Sequence, residues 1–463
     1  MHGDRKQVLR ARMTYVSIII LRKVYNNQMK TYGYDTSDPQ SSDQWLSKVM
    51  VECFQVNDIW DNDTTIVNLI DHPCGFGKTS HLIRTINCEP TKRFLIIVPT
   101  LSEVERILAE TDSDRFQTPS SDNGTKADDL ERLIHSGVSI VTTHKLFNES
   151  VNIAIEGGLK YFHVVVDEVP DVILKARTVS KEAFEKLYLD TGYCTVGHDG
   201  LICTTDKGRE ELPTLRGVIN DKLANEILTD RMIYAGGSAL ISALSMHLFQ
   251  CSLSVTVLTF MSEGSIFLRY LERSKVTFNR YINDAAHEIF RANAKRLVQI
   301  ETIGELEKIP FNYSNQTKYS AKSKEAKSVS IALKNLKQRH FKGVYDGDIL
   351  ITCAKEQWYT KHNKPAAFSS GSRMFSKVNW IPNTTRGTNE YDHCTHLIYL
   401  YDQHANPTIL RWLAIADRKF QDQYALTELI QWLWRSRIRK GASVTLYLPS
   451  KRMRDIFNKW IES

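Results

Sequence analysis

At 463 residues, with 42% apolar and 24% charged, the chain has ordinary globular usage and length for two or three cores, which excludes fibrous, disordered and small disulfide-stapled classes. Its longest early apolar run, Val16 to Leu21, is fenced by Arg10, Arg12 and Arg22, falls far short of the ~18 residues of a membrane span, and lacks a secretory cleavage site. The net charge of +7 leans toward a polyanionic partner; the eight cysteines contain no Cys-x-x-Cys pair, which argues against a zinc site or disulfide framework and for a reducing, cytoplasmic setting.

Residues 1–60 read as a helical extension: Arg5 to Tyr32 has few breakers, a polar turn follows, and Gln44 to Gln55 carries Trp45, Val49, Cys53 and Phe54 at roughly helical spacing. Such a segment is either a helical cap on the next domain or a separate nucleic-acid- or partner-binding module. Thr65 to Ile70 then reads as a strand leading into Asp71-His72-Pro73-Cys74-Gly75-Phe76-Gly77-Lys78-Thr79-Ser80, and Ser80 to Ile86 is helix-compatible. Strand, glycine-rich turn, Lys-Thr and helix direct backbone N–H groups into one small volume that suits an oligophosphate. That pattern puts Lys78 against β/γ-phosphates and the Thr79 hydroxyl on Mg²⁺. The complete pattern asks for glycine where His72 stands.

Arg93 to Thr100 is a continuous apolar strand of the kind buried on both faces of a parallel sheet, followed by a helix over Leu101 to Glu110 and a polar loop over 111–127. Val138 to His144 is another short strand, ending in Thr142, Thr143 and His144. His163-Val164-Val165-Val166-Asp167-Glu168 places two adjacent carboxylates where a core strand emerges, the edge at which such sheets bind ligands. Asp167 suits Mg²⁺ and Glu168 suits activation of a water molecule.

Residues 175–250 read as a helical insertion around a strand-like piece at Thr195 to Thr204, and Ser254 to Phe260 returns to strand. A second α/β unit starts near Arg296 to Ile300. Between Phe311 and His340 seven Lys/Arg face one acid, Glu325, with Tyr313 and Tyr319 nearby, and Ala326 to Gln338 is a helix. That segment is either a solvated face or a set of phosphate contacts with stacking residues. Strands follow at 348–353, 396–401 and 443–448, and a helix over Gln423 to Arg439 carries Gln431 and three arginines.

In order, the phosphate loop, Pro99-Thr100, Thr142 to His144, Asp167-Glu168, Thr259, Thr385-Arg386-Gly387-Thr388-Asn389 and Gln431 to Arg439 resemble the motifs of superfamily 2 helicases, of the DEAD/DEAH-like kind common in phages and mobile elements. The likeness covers roughly residues 62–450. It implies an α/β fold of two RecA-like P-loop NTPase lobes, with ATP in the cleft between them and a nucleic-acid strand across both. The expected division is 1–60 (helical extension), 61–272 (first lobe, with the insertion) and 273–463 (second lobe). By resemblance, Cys74, Gly75, Phe76, Gly77, Lys78, Thr79, Ser80, Gly387 and Asn389 bind ATP, and Thr79 and Asp167 hold Mg²⁺. Glu168, Lys78, Gln431, Arg435 and Arg439 carry the hydrolysis.

The last motif departs from the family: Trp434 and Arg437 replace its glycines, and Ile438 stands at its second arginine. On one helix Arg435 and Arg439 share a face, which makes them the expected arginine fingers, while Arg437 points away. Val169-Pro170 after the carboxylates matches neither the DEAD nor the DEAH subclass. For adenine recognition Gln44 and Gln55 are candidates only. The expected activity is ATP-driven movement along or unwinding of nucleic acid, DNA in preference to RNA, without a membrane. Its expected setting is the cytoplasm, a host's if phage-encoded, alongside replication, recombination or repair proteins. The alternatives are a protein-coupled ATPase switch and a terminase-like packaging motor; the latter needs a nuclease of three or four converging carboxylates, for which the second unit offers few strand-end acids, Asp346, Asp348 and Asp402, and a Gln-Arg-rich helix instead.

Overall fold

The computed structural model describes residues 42–54, 65–111, 114–122, 124–197, 200–215, 217–229, 231–234, 239–375, 377–385 and 387–463. The helix expected over Arg5 to Tyr32, Gln55 and Arg386 lie outside these residues. The Gln44 to Gln55 helix is described as Ser42–Cys53, and it buries Leu46, Val49, Met50 and Cys53. Those side chains join Leu82, Ile83 and Ile86 of the helix Lys78–Asn87 in one apolar cluster.

The strands in chain order begin with β1 (Val67–Asp71), β2 (Phe94–Val98), β3 (Phe116–Gln117), β4 (Ser139–Thr143) and β5 (His163–Asp167). There follow β6 (Ile173–Thr178), β7 (Cys194–Val196), β8 (Ile202–Thr204), β9 (Met232–Tyr234), β10 (Ala239–Ala243), β11 (Ser254–Thr259) and β12 (Phe278–Ile282). Seven of them form a parallel sheet in the order β12-β1-β11-β5-β2-β4-β3. Every residue of β1, β2, β5 and β11 is buried, as in strands covered on both faces; the run is unbrokenly apolar in β2, while β1, β5 and β11 also bury polar residues such as Asn68, His163 and Thr256. Because β12 pairs with β1 through Ile282, the first sheet extends past the 272/273 boundary expected from the sequence.

The insertion is not simply helical. Strands β6, β10 and β9 form an antiparallel sheet and β7–β8 a hairpin, with short helices at Asp206–Glu211 and Asp221–Leu228. It has its own small core, including Phe184, Tyr188, Ile202, Leu212 and Ile227. The strand-like piece expected at Thr195 to Thr204 is the β7–β8 hairpin, whereas β6, β9 and β10 are too short for a period of two to stand out.

The helix Asp284–Leu297 leads directly into the second sheet, so the strand expected from Arg296 begins only at Val298. Strands β13 (Val298–Glu301), β14 (Ile349–Thr352), β15 (Asn379–Trp380), β16 (His396–Tyr399) and β17 (Val444–Tyr447) run parallel in the order β13-β17-β16-β14-β15. Leu350, Leu397 and Leu446 face a cluster built with the helices Asp284–Leu297, Arg418–Leu433 and Lys451–Glu462. Their neighbours Ile349, Ile351 and Ile398 face the opposite cluster under the helix Lys324–Arg339, the alternation of a sheet covered on both sides. Two parallel sheets flanked by helices thus lie in tandem, and the C-terminal ends of β1 and β5 open toward the second unit. Among the described residues, no helix is long and apolar enough to cross a membrane.

Candidate nucleotide site

Residues 72–77 turn back from β1 before the helix Lys78–Asn87 begins. Gly75 and Gly77 take φ of 82° and 78°, a region that penalises a Cβ, and the Gly77 carbonyl accepts the first helical bond from His81 N at 2.9 Å. His72 is not among the residues with positive φ, so its position does not require glycine. Its ring is fully buried, stacked on Trp45 at 5.0 Å and edge-on to Phe76 at 5.3 Å. Lys78 Nζ donates to the carbonyls of His72 at 2.5 Å and Pro73 at 3.0 Å. Burial lowers the Lys78 pKa, opposed by the nearby Cys74, Asp167, Asp71 and Glu168.

Strand β5 delivers Asp167 and Glu168 to the same opening. Asp167 accepts from Thr79 Oγ1 at 2.8 Å. Burial, and then the charge of Glu168, push its pKa up to about 6 against the Thr79 bond and the Lys78 charge. Glu168 has φ 64°, a left-handed conformation costly for a residue with a Cβ. His144 Nε2 lies 2.9 Å from the Asp167 carbonyl oxygen, and burial lowers the His144 pKa.

The second unit closes the other wall. Glu168 Oε1 accepts from Arg435 Nη2 at 2.9 Å and from the backbone N–H of Gly387 at 3.3 Å. The Arg435 side chain is only 7% exposed, and its Nη1 reaches the Thr388 carbonyl at 3.4 Å. Gly387 has φ 59°, and a Cβ there would stand 2.8 Å from Pro99 Cβ, so the two walls meet only because this residue is glycine. Arg439 Nη1 donates to Asn389 Oδ1. The cleft between the walls has a volume of about 690 Å³, within the usual range for a small-molecule site.

Of the residues expected from the sequence, Cys74, Gly75, Gly77, Lys78, Thr79, Ser80, Asp167, Glu168, Gly387, Asn389, Gln431, Arg435 and Arg439 all line this cleft. Phe76 does not. It is 7% exposed and packs beneath the loop, 6.3 Å from Phe290. The expected helix to Arg439 is also corrected: it runs Arg418–Leu433, and a 3₁₀ turn follows at Arg437–Lys440. Trp434 ends it, its ring buried 4.0 Å from Phe290 on the linking helix. Arg435 and Arg439 therefore reach the cleft from a turn and a 3₁₀ segment, not from one helical face. Arg437 turns away and donates to the Ser443 carbonyl at 2.6 Å.

Thr259, one of the residues in the motif series, ends β11 beside the loop, but its hydroxyl has no hydrogen-bond partner among the described residues. The contacts run through its neighbours. The buried Asp71 carboxylate accepts from Met261 N and Ser262 N, each at 2.8 Å, and from Ser262 Oγ at 2.6 Å. On the far side, Thr427 Oγ1 lies 3.4 Å from the Met261 carbonyl and Gln423 donates to Glu263 at 2.8 Å. Thr427 sits one helical turn before Gln431, on the same face. Asp71 was missed because it reads as an ordinary strand-end polar residue. Glu103 and Arg106, which also line the cleft and pair at 2.6 Å, read as a surface helix pair.

Among the described residues no three His, Cys, Asp or Glu side chains converge as a metal site. The Thr79 hydroxyl and Asp167 carboxylate are a hard-oxygen pair, and burial disfavours the Asp167 charge unless a cation faces it. That donor set fits Mg²⁺, which takes one or two protein ligands and completes its shell with water and phosphate.

Residues 292–461 match the family model of the YonV C-terminal Rossmann-like domain. One relative aligns with most of the chain. The relative is the SPbeta prophage-derived uncharacterized protein YonV of Bacillus subtilis (strain 168), 28% identical over 421 residues, spanning 86% of this chain and 99% of that one. Among solved structures, the chain is similar to an XPD helicase with a TM-score of 0.50 and 12% identity, covering 90% of this chain and 98% of that chain. A structure of apo XPD aligns with a TM-score of 0.48 at 12% identity, over 91% of this chain and 97% of that one. The fold is therefore the two-lobed, helicase-like arrangement of parallel sheets flanked by helices, and the sequence relative is phage-derived.

Proposed function

We propose that this chain is an ATP-dependent nucleic-acid helicase or translocase of the superfamily 2 kind, hydrolysing ATP between a first lobe that ends near Ile282 and a second lobe that follows, with DNA as its track in preference to RNA. One observation carries the reading: a carboxylate on one wall, Glu168, meets an arginine from the other wall, Arg435, beside a phosphate-binding loop.

In this reading the N–H groups of residues 75–79 and the Lys78 ammonium hold the β/γ-phosphates. Thr79 and Asp167 would hold Mg²⁺, which neutralises phosphate charge as the γ-phosphoryl leaves. Glu168 orients the attacking water and draws off its proton. Arg435 exchanges Glu168 for the γ-phosphate, with Gln431 and Arg439 beside it; an arginine in this position is typically worth ~10³–10⁵ in rate. Because Arg435 and Glu168 lie on opposite walls, hydrolysis demands closure and product release permits opening. The Asp71–Met261–Thr427 contacts transmit that movement between the loop and the helix bearing Gln431.

The nucleic-acid assignment is supported by the fold likeness and by the basic stretch. There Lys324 and Lys327 are exposed, Tyr313 is 56% exposed, and Lys337 is instead paired with Asp346. A packaging-motor nuclease is disfavoured: Asp346 is paired with Lys337 and Asp402 with Arg452, rather than converging. The test is the affinity for single-stranded DNA, duplex DNA and RNA, measured with ADP and with a non-hydrolysable ATP analogue across a salt series. Nucleotide-dependent, salt-sensitive binding of one polymer is expected; affinity that ignores the nucleotide state would remove the motor reading.

A further inference from the structure

We propose that His144 is a positioning residue that holds the Asp167–Glu168 peptide in the orientation aiming the Glu168 carboxylate across the cleft; this rests on the reading of Glu168 as the water-activating group. Strand β5 ends at Asp167, and the next residue departs from extended geometry to φ 64°. A left-handed conformation costs a non-glycine residue ~1–3 kcal/mol and persists only where its surroundings impose it. The carbonyl immediately before that residue is the Asp167 oxygen, which lies 2.9 Å from His144 Nε2. A carbonyl only accepts, so Nε2 carries the proton of this bond.

The bond crosses the sheet. β4 and β5 are not neighbours, since β2 lies between them. His144 begins the short helix His144–Phe147 directly after β4, with Thr143 capping it, and its ring reaches past the end of β2 to β5. The Asp167 carbonyl direction and the Glu168 backbone angle are torsions on either side of one rigid peptide plane. With β5 held in the sheet before it and the Glu168 carboxylate bonded after it, anchoring that plane restrains φ of Glu168, which sets where Oε1 lies relative to Arg435 Nη2 and Gly387 N. Freed of the bond, the peptide relaxes toward the extended region and the carboxylate swings off line. A displacement of ~1 Å at a reacting group can cost ~10² in rate.

The test compares His144→Leu, which removes the donor, with His144→Gln, whose amide reaches about as far as Nε2 and keeps one. Wild-type hydrolysis sensitive to Glu168→Gln is the reference; its absence would refute the functional reading, separately from the fate of His144. With that reference in hand, His144→Leu should lower kcat about 10- to 100-fold with the KM for ATP within about twofold. His144→Gln should recover kcat to within about threefold of wild type, and His144→Leu should cost nothing further in a Glu168→Gln background. Imidazole ¹⁵N spectra of the wild type should independently show His144 protonated at Nε2. Wild-type kcat in His144→Leu, no recovery in His144→Gln, full additivity with Glu168→Gln, or an unprotonated Nε2 would each overturn the proposal.

Discussion

Arg435 reaches across the cleft to Glu168, Nη2 to Oε1 at 2.9 Å, so the two groups expected to act on opposite sides of a phosphoryl transfer are bonded to each other. Only 7% of the arginine side chain is exposed, against 28% of the glutamate's, so the guanidinium is largely out of water and losing its carboxylate is costly unless another anion replaces it. A γ-phosphate supplies one.

Replacing either partner should separate binding from chemistry. Glu168→Gln should lower kcat by ~10²–10⁴ and Arg435→Ala by ~10³ or more, while both still bind ATP. Arg435→Lys should not restore activity, because an ammonium cannot reproduce the fork that reaches Glu168 Oε1 and the Thr388 carbonyl together. Single-turnover hydrolysis beside equilibrium nucleotide binding measures both quantities.

The pKa of Asp167, raised from 3.8 to about 6, has a definite sign. Between those values the folded chain binds more protons at this site than the unfolded chain does, so this group's contribution to stability falls as pH rises toward about 6. Mg²⁺-nucleotide binding selects the ionised carboxylate, so affinity should weaken as pH drops below about 6, and binding near that pH should release about half a proton. Calorimetry in two buffers of different ionisation enthalpy reads that release. Asp167→Asn should abolish it.

The lobe contact at Gly387 is a steric prediction. Gly387→Ala adds a Cβ 2.8 Å from Pro99 Cβ at a φ of 59°. The cost is ~1–2 kcal/mol from the backbone alone, and the walls should be pushed apart. Hydrolysis should fall at least tenfold while ATP binding at the loop is retained, and scattering should show a less compact molecule with the nucleotide bound.

Asp71→Ala should leave Met261 N and Ser262 N without their carboxylate, at ~2–4 kcal/mol, read as a lower urea midpoint. In the folded variant, basal hydrolysis should suffer less than its response to nucleic acid, because the lost contacts lie between the loop and the helix carrying Thr427.

Much of this architecture is written in local patterns. Runs such as Phe94–Val98 and His163–Asp167 announce a doubly covered parallel sheet, and the Gly-Lys-Thr turn and the Asp-Glu strand end announce the cleft. What stayed hidden is what depends on distant residues meeting. Trp434 ends its helix because Phe290 receives its ring, and no property of the stretch from Gln431 to Arg439 records that partner. Phe76 sits in the phosphate-loop motif, yet tertiary packing draws it under the loop. Asp71 and His144 each work through a hydrogen bond to a residue far away in sequence, and neither bond leaves a periodicity to read.

Whether nucleic acid drives this cleft is decided by steady-state ATP hydrolysis with and without single-stranded DNA, duplex DNA and RNA, run beside the Glu168→Gln protein. A nucleic-acid motor should be stimulated by one polymer, most strongly by DNA, with the stimulation abolished in the variant. Robust hydrolysis indifferent to every polymer would contradict it and make the cleft that of a protein-coupled switch.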